Sequence, residues 1–150
     1  MTLSIHIEDP LTADGRALID GSERALRAVY TEDECFTFTA DELAKPEIRF
    51  LVARQNGEAA GCVALCDYDR YGEVKRLYVP EAGRGLGTAR QLMDRLENMS
   101  REMGHDSVKL ETGEKLESAV ALYTKLGYVV RGPFGEYPDH PASLFMEKAL

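Results

Sequence analysis

Glu73-Val74-Lys75-Arg76-Leu77-Tyr78-Val79-Pro80-Glu81-Ala82-Gly83-Arg84-Gly85-Leu86-Gly87-Thr88 reads as a strand, a glycine-rich turn and the opening of a helix. Pro80 stops the strand, because it has no N–H to give to a sheet ladder. Glycines at 83, 85 and 87 remove side chains that would hold an anion away from the backbone. The first N–H groups of the following helix have no intrahelical partner, the helix dipole adds partial positive charge there, and Arg84 can add a full one. Together these features predict a phosphate cradle. The plainer alternative is a flexible turn that happens to be rich in glycine.

Beyond the cradle, Ala89, Leu92, Met93, Leu96, Met99 and Met103 recur at helical spacing, which predicts a helix from Thr88 to Met103 ended by Gly104. Val108 to Leu110 reads as a short strand. A second helix is expected from about Lys115 to Leu126, with Leu116, Ala119, Val120, Leu122, Tyr123 and Leu126 inward and Gly127 as its cap. Tyr128 to Val130 and Leu144 to Met146 supply two more strands.

Ahead of the cradle the chain reads as a meander. Ile48 to Ala53 and Ala59 to Cys66 are strands joined by the hairpin turn Asn56-Gly57, and the polar stretch Asp67 to Gly72 leads into the strand from Glu73. Residues 3 to 8 alternate like a strand. Thr12 and Asp14 offer a cap to a helix with Ala17, Leu18, Ala25, Leu26 and Val29 inward, in which Gly21 is a weak point that can break it. Thr39-Ala40-Asp41-Glu42 has capping-box spacing, and Pro46 keeps the helix it opens short. With 150 residues and no repeat or linker-like tract, residues 1–150 are expected to form a single domain of mixed α/β class.

Composition excludes several functions. A net charge of −8 argues against a nucleic-acid surface, which needs a clustered excess of Lys and Arg; the local exception is Lys75, Arg76 and Arg84. That small basic patch suits a small anionic ligand. No apolar run approaches the roughly 20 residues that span a bilayer, and the start, Met1 to Glu8, has no basic residue and is unlike a signal peptide. A cytoplasmic location is expected. Cys35, Cys62 and Cys66 make an odd count that fits reduced thiols, with Cys62 and Cys66 buried on one strand face and no partners for a metal site. The loop ends in Gly-Thr without the lysine of a nucleoside-triphosphate loop. A dinucleotide site draws partial support from Glu111, placed where a ribose-binding acid is expected, but the Gly-x-Gly-x-x-Gly spacing fails and the strands before the loop form hairpins.

At these residues the chain resembles the GNAT superfamily of acyl-CoA-dependent N-acyltransferases, and the resemblance covers nearly all of it. The block from Glu73 through the loop into the helix is similar to that superfamily's main motif, and Leu122-Tyr123-Thr124-Lys125-Leu126-Gly127-Tyr128 looks like its second. The resemblance implies a central twisted mixed sheet of about six to seven strands flanked by about four helices. It implies acetyl-CoA as co-substrate and no metal. The backbone of Leu77, Tyr78 and Val79 would line the pantetheine arm and acetyl carbonyl, and Gly83, Arg84, Gly85, Leu86, Gly87 and Thr88 would bind the pyrophosphate. Ala82 departs from the Gln or Arg usual there, and Ser118, counted with the cofactor site, departs from an Asn.

N-acylation needs a base for the amine, stabilisation of an oxyanion and an acid for the departing thiolate. Glu73 lies where relatives often carry a general-base glutamate, and is expected to take the proton directly or through water; a glutamate paired with Lys75 or Arg76 is the competing reading. Tyr123 is the expected acid, against a simple packed aromatic. A backbone N–H near Val79 serves the oxyanion. His6, His105 and His140 form no pattern with a Ser or Cys and are expected at the surface or in loops. The stretch Gly135 to His140 has the composition of a substrate-facing loop, and Glu32, Asp33 and Glu34 could attract a cationic amine. The resulting expectation is acetyl transfer to a primary amine of an amino-acid-like or polyamine-like small molecule, by direct attack, in a protein forming a homodimer. The alternative is a non-catalytic acyl-CoA-binding module.

Overall fold

The computed structural model describes residues 3–150; Met1 and Thr2, which opened the stretch read as unlike a signal peptide, lie outside them. Leu3–Ile7 (β1) leads into Ala13–Arg27 (α1), then a 3-10 turn at Glu32–Glu34 and the single-turn helix Ala40–Leu43 (α2). Thr12 caps α1 by accepting a 3.0 Å hydrogen bond from Gly15 N, and Thr39 and Glu42 close the expected capping box on α2. Ile48–Gln55 (β2) and Glu58–Tyr68 (β3) pair antiparallel. Asn56 and Gly57, with φ of 53° and 85°, supply the left-handed backbone that this hairpin turn requires. Tyr71–Tyr78 (β4) follows through a turn in which Asp67 Oδ1 accepts from Asp69 N at 3.0 Å. After the loop come Thr88–Glu102 (α3), Ser107–Thr112 (β5), Glu117–Lys125 (α4), Val129–Arg131 (β6) and Leu144–Ala149 (β7).

The seven strands form one mixed sheet in the order β1-β2-β3-β4-β5-β7-β6. One face, with Leu51, Val63, Leu65, Val74, Val108 and Leu110, packs on Leu92, Met93 and Leu96 of α3 and on Tyr123 of α4. The opposite face, with Phe50, Val52, Cys62, Ala64 and Cys66, packs on Leu18 and Ile19 of α1 and Leu43 of α2. Each fully buried leucine in these layers contributes on the order of 1.5–3 kcal/mol. This is the α/β fold with a seven-stranded sheet and four helices that the resemblance implied.

Several local expectations change. Helix α1 runs unbroken through Gly21 because that glycine is a point of close approach: a Cβ there would stand 2.8 Å from the Tyr78 ring. Its buried stripe is Gly15, Leu18, Ile19 and Gly21; Ala17 is exposed, Ala25 is exposed where it borders the cleft described below, and Val29, also exposed, lies beyond the end of the helix. In α4 only Tyr123 is buried, and the other residues expected inward are half-buried. Strand β5 extends two residues past Leu110, and β6 starts after Tyr128, whose side chain turns into the core.

His105 is the clearest correction. It lies in the loop between α3 and β5, one of the two places expected for it, but that loop position is buried: it is 5% exposed, with Nε2 2.8 Å from Asp67 Oδ1 and Nδ1 2.5 Å from Ser100 Oγ. The hydrogen bond from His105 is the main cause holding the Asp67 carboxyl below its ordinary range. This serine, histidine and aspartate line up in space although nothing in their spacing announced it. Ser100 is fully buried, so the set ties α3 to the β3–β4 turn and offers no nucleophile to a substrate.

What positions the site is the parting of β4 from β5. The two strands pair in parallel from Tyr71↔Ser107 to Val74↔Leu110 and no further. Across β3 and β4, Cys62 faces Tyr78 while Ala64 faces Lys75, so β4 carries one extra residue. Arg76, at φ 55°, absorbs it as a bulge that bends β4 away.

Candidate active site

The gap between the diverging strands widens into a cleft of about 850 Å³ walled by β4, the glycine loop and the start of α3 on one side, and by β5 and α4 on the other. The loop backbone is used up only at its beginning, where Gly83 N donates to Pro80 O at 2.8 Å and Arg84 N to Glu81 O at 3.2 Å. The next bond is from Gln91 N to Gly87 O at 3.0 Å. Among the described residues, the amides from Gly85 to Arg90 therefore donate to nothing in the chain. Gly87 is the N-cap of helix α3, which has no side-chain cap and no acidic residue in its first turn. Gly85 and Gly87 hold φ of 83° and 78°, and a Cβ on either would meet nothing within 4 Å; the backbone conformation, and not crowding, calls for glycine there.

Gly83, Arg84, Gly85, Gly87, Thr88 and Ser118 all line the cleft, as do Leu77, Tyr78 and Val79. Leu86 does not: its side chain is 50% exposed. Arg84 Nε bonds Val79 O at 3.1 Å, which lays the guanidinium along the end of β4. The basic patch expected from Lys75, Arg76 and Arg84 is smaller than its sequence suggests. Arg76 is tied to Glu23 at 2.7 Å and to Ser22 and Phe38 O, and Lys75 is tied to Glu73 at 3.2 Å. Arg84 has no acidic partner among the described residues.

The far end of the cleft is built from side chains. Glu73 is 2% exposed, accepts a hydrogen bond from the Tyr137 hydroxyl, and is not among the residues facing the cleft. Burial first, and Glu73's charge second, push the Tyr137 phenol far above its ordinary value, so it remains a donor. Lys75 bonds the Tyr137 hydroxyl and Phe36 O, with Nζ 4.8 Å from the Phe38 ring centroid and 4.6 Å from that of Tyr137. Tyr137 belongs to the stretch read as a possible substrate loop; its hydroxyl goes to this buried pair, while Ala142 further on faces the cleft. Glu34 also faces it, with Oε1 accepting from Thr31 N at 2.9 Å.

Tyr123 faces the cleft and stacks edge-on against Tyr128 at 5.7 Å. No hydrogen bond involves its hydroxyl, and no fully buried side-chain N or O atom lacks a partner among the described residues; that hydroxyl therefore meets the cleft. Burial chiefly, and then the charge of Glu111, push its pKa well above the ordinary phenol. Glu111 itself is the residue that sequence reasoning used only in the rejected dinucleotide site. It lines the cleft, its Oε2 accepts from Ser143 Oγ at 2.8 Å, and burial pushes its carboxyl up to about 7. The signal was available in the two-residue period of β5: Val108, Leu110 and Thr112 are buried in turn, which puts Lys109 and Glu111 on the other face.

Among the described residues, no group of three or more His, Cys, Asp or Glu could hold a metal ion. The thiols of Cys62 and Cys66 are buried, and burial pushes both up to about 12. No helix among the described residues is long and apolar enough to cross a membrane.

Comparison with known proteins bears on the family and the fold. The model of the Acetyltransferase (GNAT) family matches residues 16–128. A protein of Azospirillum brasilense named IAA acetyltransferase is 41% identical over 150 residues, covering 99% of this chain and 98% of its own. An uncharacterised N-acetyltransferase of Bacillus subtilis, YsnE, is 28% identical over 99% of this chain and all of its own. Among solved structures, a candidate acyl-CoA N-acyltransferase from Klebsiella pneumoniae superposes with a TM-score of 0.84 at 30% identity, over 99% of this chain and 98% of that one.

Proposed function

This chain belongs to the GNAT acetyltransferase family and is an acyl-CoA N-acyltransferase, and on that premise we propose that it moves the acetyl group of acetyl-CoA to a primary amine of a small molecule by direct attack. The observation that carries the reading is the run of unbonded amides from Gly85 to Arg90 at one end of a cleft whose other end holds ionisable side chains. Outward-facing amides, a helix N-terminus and Arg84 fit a pyrophosphate. Two solved structures of this fold, from Thermoplasma acidophilum and Salmonella typhimurium, hold coenzyme A and acetyl-CoA respectively. The thioester supplies an activated acyl carbon.

In this reading the chain's own groups have distinct tasks. The backbone at Leu77 and Tyr78 of β4 and at Val79 just beyond it, left without a β5 partner, runs along an extended ligand, with Val79 O held by Arg84, and an N–H near Val79 faces the oxyanion. Tyr123 holds its proton at neutral pH and gives it to sulfur. Glu73 acts at one remove, through Lys75, because its carboxyl is closed off from the cleft. Ser118 stands on the cleft wall opposite the loop.

Calorimetric titration with acetyl-CoA, followed by thiol release with a panel of small primary amines, tests the reading; IAA is assayed beside the panel as a separate acceptor because the Azospirillum relative bears it in its name. Acetyl-CoA should bind, and at least one amine should release thiol. Tyr123→Phe should then lower kcat by roughly 100-fold without weakening acetyl-CoA binding. Binding without turnover of any acceptor would refute acyl transfer to small amines, and full kcat in Tyr123→Phe would refute the acid role.

A further inference from the structure

Glu111 occupies a place that the roles above leave empty. It is the first β5 residue past the last β4–β5 rung, Val74↔Leu110, so its side chain stands at the vertex where the strands part, on the face that also carries Glu73 and Lys75. On its other flank β7 holds it in register, Glu111 opposite Phe145. Ser143, just before β7, bonds Oε2; Oε1 has no bond among the described residues. The carboxyl thus has one oxygen anchored and one left for the cleft.

We propose that Glu111 is the group that takes the proton from the acceptor's ammonium, with Ser143 setting its basicity. This rests on the acetyl-transfer reading and says how that reaction begins. An amine arriving as R–NH3⁺ gives one proton to the Glu111 carboxylate. Its freed lone pair forms the N–C bond to the thioester carbonyl carbon, and the C–S bond breaks with its electron pair on sulfur. Sulfur receives the proton of Tyr123, and the second proton lost by nitrogen restores that phenol. Glu111 returns its proton to water, so one proton is released per turnover.

The surroundings suit the task. The titratable groups close enough to exchange electrostatic influence with Glu111 are Lys75 and Glu73 from β4, Tyr123 from α4, Tyr30 and Cys35 from the segment after α1, and Tyr137 from the loop before β7. Burial raises the carboxyl, Ser143 and Lys75 pull it down, and Glu73 raises it again, leaving it at about 7. A base poised there is half ionised at neutral pH and still basic enough to take a proton from a bound ammonium. Glu73, closed over by Tyr137 and Lys75, keeps Lys75 in place beside it and is a positioning residue in this scheme.

The experiment is the pH profile of thiol release, between about pH 5 and 9, for the wild type and for Glu111→Gln, Glu73→Gln and Ser143→Ala. Wild-type kcat should rise with pH through a midpoint near 7. Glu111→Gln, which keeps the side-chain shape and can still accept from Ser143, should lose roughly 100-fold or more in kcat and lose that rise, while calorimetry shows that it still binds acetyl-CoA. Ser143→Ala removes a bond that favours the charged carboxylate, so its midpoint should move to higher pH. Glu73→Gln should keep a midpoint of its own below pH 9 whatever its rate. Full kcat in Glu111→Gln, or a reduced kcat that still rises through the same midpoint, overturns the proposal. A wild type that binds acetyl-CoA but releases no thiol with any amine overturns the acetyl-transfer reading as well; an active wild type with an unaltered Glu111→Gln overturns this proposal alone.

Discussion

Helices α1 and α3 are each 15 residues long, lie on opposite faces of the same sheet, and begin in opposite ways. At the start of α1 the chain answers its own donors: Thr12 Oγ1 accepts from Gly15 N, Asp9 Oδ1 accepts from Leu11 N at 2.9 Å, and Asp14 sits in the first turn. Gly15 fits beneath Pro10, where a Cβ would come within 2.5 Å of the carbonyl oxygen. At the start of α3 a bare left-handed glycine stands where the cap would be, and no acid follows it. A helix whose N-terminus only has to hold the fold together satisfies it with side chains. One whose N-terminus serves a ligand, as proposed for α3, leaves that to the ligand, and a glycine in the cap position gives up only about a few tenths of a kcal/mol of capping energy.

Making α3 resemble α1 tests this contrast most severely. Gly87→Asp puts a carboxylate where the proposed pyrophosphate lies, and removing two charge-assisted hydrogen bonds costs about 3 kcal/mol or more, roughly 100-fold in acetyl-CoA affinity. Asp tolerates the left-handed backbone and favours a helix N-terminus, so thermal unfolding should show stability within about 1 kcal/mol of the wild type. Equal affinity in calorimetry would break the comparison. Gly15→Ala at the other helix should do the converse: about 1–3 kcal/mol of lost stability in denaturant unfolding, from the clash with Pro10, and unchanged acetyl-CoA affinity per folded molecule. Thr12→Ala should cost about 1 kcal/mol, again without touching affinity; a change in affinity would mean that α1 also serves the cofactor. The smallest effect is electrostatic. Raising the salt from about 0.05 to about 0.5 M should weaken acetyl-CoA binding several-fold in the wild type, and less in Gly87→Asp, where the anion no longer meets unopposed positive charge.

The parts of the fold legible in the sequence are those that local chemistry decides. The Asn56-Gly57 turn, the Thr12 and Thr39 caps, Gly104 behind α3, and the glycine loop between strand and helix each state their conformation within a few residues. The parts that were not legible depend on partners distant in the chain. His105 reads as an isolated loop histidine until the fold brings Asp67, 38 residues away, onto its ring. Lys75 and Arg76 read as a basic patch until Glu73 and Glu23 neutralise them. Gly21 reads as a helix breaker until the Tyr78 ring fills the space its missing side chain leaves. The candidate site divides along the same line. Its glycine-loop end, the proposed phosphate site, is one contiguous segment, whereas its other end draws Glu111 from β5, Ser143 from the approach to β7 and Lys75 from β4, an assembly made only when the strands come together.

The bulge at Arg76 that parts β4 from β5 bears on how such a protein can change over generations. In the proposed reading it leaves the main chain of Leu77, Tyr78 and Val79 as the surface an extended cofactor would meet, and a main chain presents the same groups whichever side chains it carries. Point substitutions can hardly erase that half of the cleft, whereas the half formed by Glu111, Lys75 and Ser143 is open to every codon change. If the proposed roles hold, inheritance of the donor and drift of the acceptor fall to different atoms, so a lineage can acquire new acceptors without learning again how to hold the old cofactor.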